Sequence, residues 1–326
     1  MSFITNIRSV AKYESKILVR SWFFRIFTLL AVVFLGFFNF AMMLMEDNFG
    51  LWFAKSVSSN IPYLNLLLLN TGQAVVAVFL SSEFLKRDKK LDTSEVFYVR
   101  PLSNAEYVVG KIWGNLRVFL FLNLLVLAIV LAFNFMASGV AVDLPAYLVY
   151  FFLISIPTLI FIIGLSIFLM LLLKNQALTF ILLLGYIGLT LFYIQDKFYY
   201  LFDYMVYNLP LFKSTIVGFS NLELILNHRA IYFFAGLGFI FFTIFLFKRL
   251  PNARRSHYPW LFLSFCMFLL MGTAGFRHVR SILREGEMRA LYTSINNKYV
   301  YEPKMAIDYY DISVEQKSET IRSVVG

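Results

Sequence analysis

The sequence predicts an all-α polytopic membrane protein, and three observations carry that reading. The chain of 326 residues is 60% hydrophobic and only 15% charged, and its mean hydropathy is +0.73. A soluble domain is typically about 45–50% apolar and about 25% charged; this chain has too few polar groups to cover the Phe, Leu and Ile it carries. The apolar residues also fall in continuous runs of about 20, the length a helix needs to cross a bilayer. They do not alternate in the dyad pattern of a membrane barrel, so helices are what can satisfy the backbone in lipid.

Seven spans are predicted, over 26–45, 61–81, 112–135, 146–173, 177–194, 230–248 and 259–275. Orientation follows from Lys and Arg in the flanking segments. With the N-terminus in the cytoplasm, the inner segments hold Arg8, Lys12, Lys16, Arg20 and Arg25; Lys86, Arg87, Lys89, Lys90, Arg100 and Lys111; Lys174; and Lys248, Arg249, Arg254 and Arg255. The outer loops before the tail hold only Lys55, Lys197, Lys213 and Arg229. An odd number of crossings then puts the C-terminal tail, 276–326, outside. The net charge of +10 is broken up by these spans, so it reads as a topology signal and no nucleic-acid partner is expected.

Two flanking segments have character of their own. In residues 1–25, Ile4, Ile7, Val10, Ala11, Ile17 and Leu18 recur at near-helical spacing among cations. This reads as an interfacial helix on the inner surface; the alternative is a plain extension of the first span. A start this polar and basic, before so long an apolar run, is not a cleavable leader. Residues 195–229 are rich in Phe198, Tyr199, Tyr200, Phe202, Tyr204 and Tyr207. They are expected to form a re-entrant or interface-lying element, or else an ordinary aromatic belt.

Every Asp, Glu and His falls outside the predicted spans, and Arg117 is the only charge well inside one. Coupling-ion carboxylates, a voltage-sensing Arg series and a ring of pore charges are all missing from the pattern. A phosphate loop is missing too, since Gly110-Lys111 is followed by Ile112. So is a zinc motif, since His228, His257 and His278 are isolated in sequence. No catalytic, cofactor or metal site is expected in this chain. Cys266 is the single cysteine, so no intrachain disulfide can form.

The loop between the second and third spans is the informative segment. Residues 82–111 nearly balance their charges, with Glu83, Asp88, Asp92, Glu95 and Glu106 against six cations. Acidic residues add little to topology, so a balanced loop reads as a protein-facing surface. Two short helices fit it. Asp92 or Thr93 could cap the first, and Ser103 or Asn104 the second, with Glu106 placed for a capping box and Pro101 breaking the chain between them.

This loop resembles that of ABC-2 type ABC transporter permease subunits. The matching positions are Arg87-Asp88, Thr93-Ser94-Glu95, Val96-Phe97, Arg100-Pro101-Leu102-Ser103, Tyr107 and Gly110-Lys111, with Gly114 following. Tyr13-Glu14 ahead of Arg20 is similar to the interfacial elbow of that family. The resemblance covers about residues 1–250 and implies a six-span permease domain over 26–250. It implies that the loop docks on a separate ATPase subunit through Arg87, Asp88, Asp92, Thr93, Ser94, Glu95, Arg100, Pro101, Ser103 and Asn104. It further implies a second permease subunit, ATP and Mg held by the partner ATPase, export as the default direction, and a bacterial inner membrane. The chain departs from the family after about residue 250. There a seventh span (251–275) leads to an outer tail with an amphipathic helix over 277–293. A strand-like alternation follows in Ala306–Val314, as at a junction to an outer domain; the alternative is a short outer tail on a complete protein.

Overall fold

The computed structural model describes residues 3–44, 57–82, 102–136, 141–194, 196–209, 211, 213–214, 218–219, 221–247, 258–302, 312–317 and 320–325. Eight helices make up nearly all of this: α1 (Phe3–Arg20), α2 (Trp22–Leu44), α3 (Asn60–Ser82), α4 (Asn104–Met136), α5 (Leu144–Leu173), α6 (Gln176–Ile194), α7 (Leu222–Leu246) and α8 (Tyr258–Tyr299). The last seven are each long and apolar enough to cross a membrane. The chain is thus an all-α polytopic bundle, and the seven predicted spans each correspond to one helix. A hairpin of β1 (Ile312–Lys317) and β2 (Thr320–Val325) follows α8. It is antiparallel, with Lys317 opposite Thr320. The strand expected over Ala306–Val314 overlaps β1 only from Ile312; positions 306–311 lie outside the described residues.

The helices overrun the apolar spans that predicted them. α4 begins at Asn104 rather than 112, α7 at Leu222 rather than 230, and α8 continues to Tyr299 rather than stopping near 275. Hydropathy marks where lipid is the solvent. A helix continues wherever its polar residues find protein or water instead. At about 1.5 Å per residue, the 33-residue α4 is about 50 Å long and the 42-residue α8 about 63 Å. Both exceed the roughly 30 Å of a hydrocarbon core. The amphipathic helix expected over 277–293 falls in the C-terminal half of α8 and is continuous with the span.

α3, α4, α5 and α7 form the centre, while α2, α6 and α8 turn most of their residues outward. The central contact is between α5 and α7. A Cβ on Gly164 would lie 2.7 Å from the Gly236 carbonyl oxygen, and one on Gly236 would lie 2.7 Å from the Ile160 carbonyl and the Phe161 nitrogen. Only glycine lets the two backbones come this close, which is how helices gain dispersion contact in lipid. α8 packs on α7 through Phe268, whose ring a Cβ on Gly238 would meet at 2.8 Å. Beside it, Ser264 Oγ donates to the Gly238 carbonyl at 2.9 Å.

Polar side chains tie the centre together at mid-length. Asn70 Nδ2 donates to Asn123 Oδ1 (3.2 Å), Asn123 Nδ2 to Gln73 Oε1 (2.8 Å), and Gln73 Nε2 to Asn70 Oδ1 (2.9 Å). Ser155 Oγ closes the group onto Asn123 Oδ1 at 2.7 Å. All four side chains are fully buried and link α3, α4 and α5. Asn39 and Asn65 exchange amide hydrogen bonds between α2 and α3.

A Gly236→Val substitution is expected to overpack the α5–α7 contact and cost about 1–3 kcal/mol or more. Gly185→Ala, where nothing lies within 4 Å, should be neutral or mildly stabilising. Thermal melts of the two detergent-purified variants check this, and equal melting would contradict the close approach.

Candidate functional site

Two polar assemblies stand out, one at each end of the bundle. The first sits where the charged loop re-enters the helices. Positions 83–101 lie outside the described residues, so Arg87, Asp88, Asp92, Thr93, Ser94, Glu95, Arg100 and Pro101 have no structural account. Ser103 and Asn104 are described, and both are anchored. Glu106 Oε2 accepts the Ser103 backbone N–H at 2.6 Å, and Ser103 Oγ accepts the Glu106 N–H at 3.2 Å. This reciprocal pair is the capping box expected at that position. Asn104 Nδ2 donates to the Phe247 carbonyl just after α7. The Tyr107 and Phe247 rings stack beside it at 5.5 Å.

Helix α1 is fastened along the same stretch of α4. Asn6 Nδ2 donates to Glu106 Oε1 at 2.9 Å. A Cβ on Gly110 would lie 2.7 Å from Val10 Cβ, and one on Gly114 would lie 2.7 Å from Glu14 Cβ and 2.9 Å from the Ala11 carbonyl. Ser15 Oγ donates to the Gly114 carbonyl at 2.7 Å. Arg117 donates through Nε to Ser15 Oγ and through Nη2 to the Ala11 carbonyl at 3.0 Å. Partners advance together on both helices, so α1 and α4 run parallel along this seam. Lys111 Nζ lies 3.7 Å from Glu14 Oε2, with both side chains about 5% exposed. The interfacial helix is therefore packed lengthwise on protein. The sequence singled out Gly110 and Gly114, yet their partner could not be read from it.

The second assembly is the aromatic segment after α6. Residues 196–209 fold into turns that insert among α3, α5 and α7. Tyr204, Met205, Val206, Leu209 and Leu211 are buried, and the Tyr207 hydroxyl bonds Thr71 Oγ1 at 2.9 Å. Thr71 lies eleven residues into α3, about 16 Å along it, so the segment reaches into the helical bundle.

Irregular backbone at such depth needs donors for its carbonyls, and the helices supply them. Tyr63 Oη donates to the Val206 carbonyl (3.1 Å) and Tyr150 Oη to that of Leu211 (2.6 Å). Ser59 Oγ donates to that of Lys213 (3.0 Å), and Tyr232 Oη to that of Leu201. His228 Nε2 lies 3.0 Å from the Tyr200 carbonyl and His278 Nε2 lies 2.9 Å from that of Tyr199. Phe198, Tyr199 and Tyr200 all have positive φ, 52°, 59° and 61°. That conformation costs an L-residue about 1–2 kcal/mol each, so the caps hold this turn against its own preference. Lys213 Nζ also pairs with Asp143 at 2.7 Å, fixing the segment's exit to the start of α5.

Arg229 is the hub. Its Nε donates to the Leu153 carbonyl (2.7 Å), Nη1 to that of Tyr204 (2.9 Å), and Nη2 to Thr158 Oγ1 (2.8 Å). The Leu153 carbonyl is open because Pro157, four residues on, has no N–H to give it. A π turn over Phe151–Ser155 widens α5 at the same place. Asp203 faces Arg229 and caps its own turn, accepting from the Tyr207 and Asn208 N–H groups at 2.9 and 2.8 Å. Burial, the largest influence, pushes its carboxyl up, while those two N–H groups and Arg229 pull it down.

The expectation that Arg229 and His228 belong to an outer loop is corrected: both lie in α7 and are buried. Their polarity masked the helix's first turns, because a hydropathy pattern cannot see that a cation will be solvated by carbonyls. Nor were His228 and His278 legible as neighbours, since fifty residues separate them. Among the described residues no group of three or more His, Cys, Asp or Glu could hold a metal ion.

These features define a multi-pass helical membrane protein with an anchored start of α4 at one end and an inserted aromatic turn at the other. No protein-family model and no curated protein matches the chain.

Two variants test the assemblies. Arg229→Leu should cost about 3 kcal/mol or more, because it leaves several buried carbonyls without donors. Arg229→Lys should recover only part of that, since an ammonium cannot reach them as a planar fork. Glu106→Ala should lose about 1 kcal/mol with the capping box, while Glu106→Gln keeps most of it. Thermal melts of each variant report the outcome.

Proposed function

We propose that this chain is the membrane subunit of an ATP-driven transporter of the ABC-2 permease type, powered by a separate ATPase that docks on loop 82–111. The observation that carries this reading is the way the loop's exit is built into the bundle. Ser103 and Glu106 cap α4, Asn6 joins Glu106 to α1, and Asn104 joins the end of α7. A push delivered to the loop would meet three helices at one rigid junction, which suits transmission of a rigid-body motion. The residue pattern of the loop, with Thr93-Ser94-Glu95 and Arg100-Pro101, supports the same reading, as does the balanced charge that topology does not require.

On this reading ATP and Mg belong to the partner, a second permease subunit completes the pathway, and the N-terminus faces the cytoplasm of a bacterial inner membrane. The C-terminal tail then lies outside. The reading includes export as the direction of transport.

A second reading, a non-transporting scaffold that presents an outer domain, is favoured by α8. Beyond the membrane its outer half is exposed from Leu283 onward and carries Leu283, Met288, Leu291, Tyr292 and Ile295 uncovered.

Purification of the tagged chain from its native membranes in mild detergent separates the two. A stoichiometric ATPase in the preparation is the expected result. In that complex, Glu95→Lys or Arg100→Glu should abolish substrate-stimulated ATP hydrolysis while leaving the melting temperature unchanged. Normal stimulation in both variants, with function lost instead on truncation after residue 276, would favour the scaffold.

A further inference from the structure

α8 is exposed from Leu283 onward. The buried residues of the whole helix are Ser264, Ala274 and His278, so His278 is the last of them before the exposed stretch. His278 makes its hydrogen bond to the inserted turn, through the Tyr199 carbonyl at 2.9 Å. The neighbouring carbonyl, that of Tyr200, is capped by His228 of α7 at 3.0 Å. The two imidazole rings meet there, with centroids 5.1 Å apart, and neither residue is exposed.

This geometry sets the protonation state. A carbonyl oxygen can only accept, so each Nε2 must carry its hydrogen. In the neutral ring Nδ1 is then a bare acceptor. Both Nδ1 atoms are buried and make no hydrogen bond. The Leu224 backbone also faces the His278 ring and favours its protonated form, so the His228 ring is the one with no acceptor for a second proton. A second proton on either ring would therefore create a buried N–H and a buried cation. The charged group on the next residue of α7 is Arg229, and the His228 ring also lies 5.3 Å from Tyr232. Asp203 acts on Arg229 and spends both oxygens on backbone N–H groups. Arg277 and Arg280, which flank His278 on α8, are exposed, as is Glu223 in the first turn of α7. No carboxylate among the described residues bonds either imidazole.

We propose that His228 and His278 form a proton-operated latch, in which uptake of a proton releases the stretch of α8 around His278 and frees the Phe198–Tyr200 turn. Histidine is the side chain whose ordinary titration range makes such a device respond between pH 5 and 8. The turn supplies the second state. Three successive left-handed residues held by side-chain caps will relax once the caps leave. The released element is the base of the exposed outer half of α8, so the latch would set how that half stands relative to the bundle. The inference does not depend on what the protein transports or presents.

Hydrogen exchange followed by mass spectrometry on the full chain in lipid nanodiscs, corrected for intrinsic rate, tests it from pH 7.5 to 5.0. Wild type should lose at least tenfold protection in peptides spanning 270–282 and 196–202 on acidification, and regain it on return to neutral pH. His278→Gln and the double variant H228Q/H278Q keep an N–H donor for the carbonyls but cannot titrate in this range, so their protection should be flat with pH. Flat protection in wild type would overturn the latch, and so would a wild-type acid transition that persists in His278→Gln. If the double variant does not accumulate, the single variant and the wild-type profile decide the matter.

Discussion

The structure depends above all on finding donors for the backbone carbonyls of a non-helical segment that enters the bundle. A helix satisfies its own backbone and can sit in lipid unaided. The described residues among 196–214 are mostly not helical, and their carbonyls would each cost several kcal/mol if buried bare. Ser59, Tyr63, Tyr150, Arg229, Tyr232, His228 and His278 meet that need from α3, α5, α7 and α8 and the turn before α3. These seven side chains explain much of what is unusual here. They account for a buried cation, for two histidines without metal or carboxylate partners, and for tyrosines that face inward instead of marking an interface. Because the donors come from several helices, the segment also cross-links those helices to one another.

The opposite end solves a different problem. A charged loop must leave and re-enter the bundle without loosening it, and α1 provides the brace. Its small and polar face, Ala11, Glu14 and Ser15, meets the glycine face of α4, so the two backbones approach closely at Gly110 and Gly114, about one turn apart. That contact takes the first turns of α4 out of solvent, although they extend past the apolar span. It also joins the capping box to a second helix, so the loop's exit cannot move independently of α1. The two ends share a logic: polar side chains are placed where a backbone would otherwise be left unsatisfied or free to fray.

Legibility in the sequence varied with the range of the interaction. The seven helices and the capping box at Ser103 and Glu106 could be read because each depends on residues within a few positions of one another, whereas the contact of Gly110 and Gly114 with α1 spans a hundred residues and could not. Pro157 carried a partial signal, since its missing N–H frees the Leu153 carbonyl, but nothing nearby says that Arg229 takes it. The amide group of Asn70, Gln73, Asn123 and Ser155 was likewise unreadable. Single polar residues in long apolar runs look like tolerated exceptions until three helices bring them together.

What the sequence alone determined is the solvent and the element type. Runs of about 20 apolar residues can satisfy their backbones only as helices in a bilayer, and that argument needs no tertiary contact. What only the tertiary structure decided is where each helix ends and what its polar residues do. Arg229 reads as a loop cation and is a buried hub, and His228 and His278 read as isolated and share one turn. The physical reason is that desolvation and hydrogen bonding are properties of a place in the fold. A charged or polar residue carries no local sign of whether distant carbonyls will be there to receive it.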